Sequence, residues 1–542
     1  MPSIKAMRLI NALEAGQMSA SGLETYLQNS ANLGEFQSLL ALRGISRRIA
    51  TSLNAVTAIL NSNTAVSVAA DNYNASRELV SNPIAVAAVI GNATAWATIC
   101  NKRIAVEAVA KSGLFLDSLV VNAARMATVA SSAVAMAAVA QSKNAIGKLL
   151  ENATSMSAVT GSIVAVSAIS KKLIAAKMLV ENQQAFNSLI TNSDNVEEFL
   201  KTGYGRDTLL GNTTSRSSLF DSVTGMNGAV RNQEFLKSIF VSTTHLSVLS
   251  NKPVFWEAIS GSVDACENMM TNVTTQNVGT YISINSVPSQ KLAASATAMN
   301  AIVSSDKRSS YLTVNSFATA LASSSIGMDI VVQNQSAMIA IFGTATSMGA
   351  VFNDDISAGK IAGSSIALAE FYIRSNTSGP VITQAFTSYP KMRTALVSNS
   401  TALTSMMSTA TAVAAIKESR PMLLEFWKSE TALTAMRNST LFTSFAYGSN
   451  HLSIGGNANP SALTAAMYSG KCILLTARSN NGNGSDTCYM MDTYENEVNK
   501  GSKSYSTARN GGDTKVVKAY ENIRFHHSTN NTVWSGNILK VS

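Results

Sequence analysis

One regularity constrains this chain above all others: residues 51–270 divide into 22 consecutive blocks of ten with no insertion or deletion. Position in the block is the last digit of the residue number, with zero read as ten. Position nine is apolar in all 22 blocks, from Ile59 to Met269. Position six is apolar in 19, interrupted by Ser76, Arg206 and Arg216, and position five is Ala in 12. Position two is Ser, Asn or Thr in 19 blocks, the exceptions being Lys102, Lys172 and Lys252.

These preferences dictate a local structure. Ser, Asn and Thr are helix N-caps, whose side-chain oxygen accepts from an orphan N–H of the first turn. Pro83 and Pro253 fall at position three, the first helical residue, where a missing N–H costs nothing. Gly91, Gly161, Gly211 and Gly261 fall at position one, where a residue just past a helix end is expected in the left-handed conformation. Each decad therefore predicts a helix of about eight residues and a tight turn. A single continuous helix is the first rival. Ten residues at about 100° each fall some 80° short of three full turns, so its apolar stripe would wander around the surface. A β-solenoid is disfavoured because Ala and Met are poor strand residues. With aromatics at only 6%, the chain also suits small, closely packed helices.

An eight-residue helix does not survive alone, since nucleation is costly and few hydrogen bonds return it. Positions five, six and nine form one apolar face that neighbouring blocks must cover, which is the logic of a solenoid. The expected product is a rod or superhelix. Alternation between two layers is the favoured packing, and would make 22 helices about 100 Å long at axis spacings of about 8–10 Å.

The flanking regions differ. Residues 1–50 read as a helical N-terminal cap or attachment segment outside the decad register. Ser21-Gly-Leu-Glu24 and Asn32-Leu-Gly-Glu35 have capping-box spacing. Residues 271–447 read as a second, irregular array: the register fails at Thr271 to Gln290 and returns at Ala337-Met-Ile-Ala-Ile341 and Ala402-Leu-Thr-Ser-Met406. Residues 448–542 change character to strand-like runs separated by Gly/Asn loops, a small sandwich-like β-domain. The fold class expected is mainly α, a solenoid of two-turn helices closed by that β-domain.

Little in the sequence points to chemistry. His526 and His527 are adjacent in a strand-like run and point to opposite faces; His245 sits at position five and His451 starts a loop. No Cys or His pair has zinc spacing. Asp354-Asp355 and Asp492 with Glu495 are the nearest acidic clusters, and neither identifies a glycosidase pair. Trp96 and Trp256, at position six, read as core, whereas Trp427 and Trp534 stay open. Cys100 and Cys266 read as core thiols. Cys472 and Cys488 can pair, although cytoplasmic assembly keeps them reduced. Net charge is 41 − 32 = +9, but no run of five Lys or Arg marks a nucleic-acid stripe. No apolar run reaches the roughly 18 residues of a membrane span. No catalytic residue, cofactor or metal site is expected, nor nucleic-acid binding or membrane insertion.

The decads Ala135-Met-Ala-Ala-Val139, Ser155-Met-Ser-Ala-Val159 and Ala432-Leu-Thr-Ala-Met436 resemble Ala-Met-rich repeats of tailed-bacteriophage virion structural proteins, often tail-fibre or appendage proteins. Arg8-Leu-Ile-Asn-Ala-Leu-Glu-Ala-Gly16 and Arg43-Gly-Ile-Ser-Arg-Arg-Ile-Ala-Thr-Ser52 are similar to the leader before such repeats. The likeness covers residues 1–270 well and 290–445 loosely. It implies a non-enzymatic fibre or appendage subunit, assembled in the host bacterial cytoplasm and located in the virion. Its expected partners are other virion proteins, further copies of itself, and a host-surface receptor through the C-terminal domain. The alternatives are a capsule-degrading tailspike and a head or neck decoration protein.

Overall fold

The computed structural model describes residues 4–442, 450–458, 468–480, 487–491, 502–506, 514–526 and 532–541. The chain divides into two compact units, Met1–Ile239 and Phe240–Ser542.

In the first unit, helices of seven to nine residues follow one another from Leu53–Leu60 to Val223–Ala229. The turn between them is often one extended residue at position two. Ser132, at φ −92° and ψ 114°, both closes the helix Ala123–Ser131 and caps Ala133–Gln141. Its Oγ accepts from the Ala135 N–H at 3.2 Å. Lys102 and Lys172 provide no side-chain cap. The glycine expectation is corrected. Gly91, Gly211 and Gly261 are the last residues of their helices, and Gly161 caps its helix at φ −81°. Among the described glycines only Gly16, Gly379 and Gly470 have positive φ. The extended residue at position two turns the chain, so no left-handed residue is needed before it.

That turn sets the architecture. Consecutive helices bend by 99° at Asn92, by 110° between Gly113–Leu119 and Ala123–Ser131, and by 89° between Ala153–Thr160 and Ile163–Ser170. Bends of this size bring the chain back over itself after three helices. Each helix accordingly packs on the third one before and after it: Pro83–Gly91 lies between Leu53–Leu60 and Gly113–Leu119. The unit is a three-sided stack with one turn per three decads, not the expected two layers. Position nine faces the axis, where Ile59, Ala69, Leu79, Val89, Ile99 and Val109 line a void of about 20 Å³. A polar group there would meet three apolar faces, which accounts for the unbroken apolar record of that position. Position ten is also buried, for example at Leu60, Val80, Cys100 and Leu150.

A second bond at position two ties the turns together. Ser112 Oγ donates to the Val80 carbonyl at 2.6 Å, Ser132 Oγ to Cys100 at 2.6 Å, and Ser142 Oγ to Ala110 at 3.0 Å. Ser162, Asn182 and Thr202 continue the series to Ala130, Leu150 and Ser170. Each bond reaches back 32 residues, from one corner of the stack to the corner beneath it. At these corners position two serves as donor as well as acceptor, whereas Asn122, Asn192 and Asn212 only accept and position five of the same block supplies the donor. Asp caps helices as well as Ser or Asn but cannot donate when ionised, and it occurs at position two in none of the 22 blocks.

The N-terminal helices Ile4–Glu14, Ala20–Leu27, Ser30–Leu40 and Arg43–Thr51 precede the stack. The predicted capping boxes are replaced by caps nearer the N-terminus: Ser19 accepts from Gly22, and Asn29 from Ala31 and Asn32. Glu24 is used elsewhere. Its carboxylate accepts the Thr64 N–H at 3.0 Å and the hydroxyls of Ser62 and Thr64, capping the helix Asn63–Ala70. Hydrogen bonds from Ser62 and Thr64 hold its carboxyl below the usual range, against a smaller opposing effect of burial. Ser62 lies too early in the array to find a corner beneath it, and Glu24 takes that place.

In the second unit the decad persists with shifts of phase. A π-helical turn at Val278–Ile282 accompanies the break read between 271 and 290. Caps then recur at Ser324, Asn334, Thr344, Asp354 and Ser364. A hairpin of β1 (Ser375–Asn376) and β2 (Gly379–Pro380) inserts next, with Gly379 at φ +107°. Gln384 Nε2 pins it through Asn376 Oδ1 at 2.9 Å and the Gly379 carbonyl at 2.7 Å. After it, caps resume at Asn399, Ser419 and Ser429.

The C-terminal strands are β3 (His451–Ala458), β4 (Tyr468–Asn480), β5 (Thr487–Met491), β6 (Ser502–Ser506), β7 (Thr514–His526) and β8 (Thr532–Lys540). They form one antiparallel sheet in the order β3-β8-β4-β7-β5-β6, and no second sheet faces it among the described residues. Strands β4 and β7 pack against the helices Arg420–Lys428 and Glu430–Asn438.

Candidate docking surfaces

Several of the residues singled out from sequence have structural roles among the described residues. Trp96 and Trp256 are fully buried, with Nε1 donating to the Arg125 carbonyl at 3.1 Å and the Leu249 carbonyl at 2.8 Å. Asp354 is an N-cap, and Asp355 pairs with Lys391 at 2.9 Å. His451 begins strand β3, not a loop, and its Nε2 meets Asn537 Oδ1 at 3.0 Å. His245 lies in the short helix Thr243–Val248. Cys100, Cys266 and Cys472 are buried, and burial pushes Cys100 and Cys266 up to about 12, away from nucleophilic use. Strand β7 separates the strands that carry Cys472 and Cys488. Asp492, Glu495 and His527, and the side chains of Cys488, His526 and Trp534, lie outside the described residues. Among the described residues no three of His, Cys, Asp and Glu gather as metal ligands, and no single helix is long and apolar enough to cross a membrane.

The polar intruders at inward positions have a common task that sequence reasoning missed. Ser76 Oγ donates to the carbonyls of Ala69 and Ala70, Arg206 to Leu200, and Arg216 to Leu210. All three satisfy the last carbonyls of the preceding helix, which a sharp corner leaves without partners. At position five, Arg125, Asn195 and Ser215 do the same for a carbonyl 35 residues earlier. The signal was available: at position six all three exceptions, Ser76, Arg206 and Arg216, are hydrogen-bond donors.

The outward positions three, four and seven distinguish the three sides of the first unit. The first side carries the helices from Leu53–Leu60 through every third one to Gly203–Gly211. Leu53, Ile84, Leu114, Leu173, Ile174 and Tyr204 stand exposed on it. The third side, from Tyr73–Ser81 to Val223–Ala229, exposes Tyr73, Ile104, Val134, Ile163 and Val223. It also carries the ion pairs Arg103–Glu107 and Arg231–Asp194 at 2.7 Å each, the latter through the turn that follows. The second side, from Asn63–Ala70 to Thr213–Asp221, has only Ala, Thr, Ser, Asn and Gln at these positions, with no charge and no large apolar group.

At the C-terminal end the sheet is seated by polar contacts. Arg437 donates to the Val517 carbonyl at 3.0 Å, and Arg420 to Asn450 Oδ1 at 3.0 Å. Asn450 Nδ2 donates to the Lys417 carbonyl at 3.0 Å, and the Lys471 ammonium lies 4.7 Å above the Trp427 ring. The sheet thereby covers the last helices of the second array. Neither a family model nor a curated protein matches the chain.

Proposed function

We propose that the chain is a non-enzymatic structural subunit of a tailed-bacteriophage virion, a fibre or appendage element assembled in the host cytoplasm beside other virion proteins. The observation that supports this reading is the corner-to-corner hydrogen-bond ladder. It joins each turn to the next by side-chain to backbone bonds, which suits transmitting load along a stack. The first unit then serves as spacer, and the second carries the end that docks. A second reading gives host-receptor recognition to the β-domain, because its sequence is free of the decad. Labelled antibodies to each terminus, imaged on purified phage particles that encode this chain, test the proposal. Labels at fixed distances from the particle are expected; a chain that washes out of purified particles overturns the virion assignment. A reducing-sugar assay on host polysaccharide is expected to show no release, against the depolymerase alternative.

A further inference from the structure

The first side of the stack combines three properties. It exposes large apolar side chains on five of its six helices, Leu53, Ile84, Leu114, Leu173 with Ile174, and Tyr204. Its other outward positions include Gly113, Gly147, Gly203, Pro83 and Ala87, which keep it low and flat. Its outward charges are few and ordered: Asp117, Lys143, Lys177 and Asp207. Six helices at about 9 Å, each about 12 Å long, present about 600 Å². Doubled, this is about 1,200 Å², the lower bound of a standard specific interface.

From this pattern we infer that the first side binds a second copy of this chain, antiparallel, about a two-fold axis between the helices Gly113–Leu119 and Lys143–Glu151. The period argues for the partner. Apolar ridges recurring once per turn are covered in full only by a surface with the same spacing, and the chain itself has that surface. The charges argue for the direction. Parallel in-register pairing sets Asp117, Lys143, Lys177 and Asp207 each against its own copy. Antiparallel pairing sets Lys143 against the partner copy's Asp117, which remains 63% exposed beside Lys148, and Lys177 and Asp207 against uncharged helices. Apolar residues also meet, Leu53 with Tyr204 and Ile84 with Leu173 and Ile174. The inference is independent of the virion reading, since it concerns the isolated chain.

Sedimentation velocity of the full chain at micromolar concentration is expected to show a dimer. Ile84→Glu with Ile174→Glu should weaken it at least tenfold while leaving the helical circular-dichroism signal at 25 °C unchanged, because both side chains are exposed. The same change on the third side, Ile104→Glu with Ile163→Glu, should leave the dimer intact. For direction, Leu53→Cys with Tyr204→Cys in a Cys488→Ser background should oxidise to a cross-linked 53–204 peptide. A monomer at these concentrations, a dimer that survives the first-side change, or dominant 53–53 peptides would overturn the inference.

Discussion

At corners such as those of Ser112, Ser132, Ser142 and Ser162, the side chain at position two both accepts from one amide and donates to a carbonyl 32 residues back, and only some capping residues do both. Ser132→Ala removes both bonds at a nearly buried site and should cost about 2–3 kcal/mol in denaturant unfolding. Ser132→Asp keeps the acceptor yet turns a carboxylate toward the Cys100 carbonyl. It should cost at least as much at pH 7 and regain part of the loss below about pH 4, where the acid can donate. Lys172→Asn should stabilise by about 1 kcal/mol, since no side chain caps that helix. Glu24 supplies a pH test. Its folded pKa lies below the ordinary 4.5, so its contribution is full above that value and is lost as pH falls through the lowered one. The stability gap between the unsubstituted chain and Glu24→Gln, measured at pH 7 and pH 3.5, should therefore shrink at the lower pH. The acceptor role at position two was legible in the sequence because it is satisfied three residues away. The donor role was not, because its partner lies a full turn away in space. Only the absence of Asp hinted at it.

At the scale of the helix, the sequence carries length, frame and buried face, since caps and apolar spacing are local. It does not carry the number of helices per turn, which depends on the bend that one extended residue imposes. The glycines separate these two kinds of information. Gly91 ends its helix in right-handed conformation with open space around it, so Gly91→Ala should stabilise by about 0.5–1 kcal/mol. A left-handed residue there would make the same change destabilising. Gly228 sits where the helix Val223–Ala229 crosses Ser193–Leu200, and an added Cβ would lie 2.1 Å from the Ser193 carbonyl oxygen. Gly228→Ala should destabilise by about 1–3 kcal/mol, read from the shift in denaturation midpoint. Gly91 stands at position one and Gly228 at position eight, and their opposite expected signs follow from the open space at the first and the crossing helix at the second.

For the whole molecule, the repeat made the solenoid legible from residue 51 onward and also signalled a second array with insertions, which proves helical with phase shifts and one hairpin. The β-rich end was legible from composition. Its seating on Arg420–Lys428 and Glu430–Asn438 was not, since that depends on Arg420, Arg437 and Trp427, which look like ordinary surface residues of a decad. The 32-residue bond has a consequence for what happens when such a chain is pulled. Because each turn is fastened only to the turns on either side of it, tension applied at one end detaches them singly, as thread leaves a spool. Thirty residues at about 3.3–3.6 Å each, less the turn's own rise of about 9 Å, predict extension steps of about 90–100 Å in single-molecule force spectroscopy of the first unit's turns. One large step spanning that whole unit would show the turns to be fastened together in some further way.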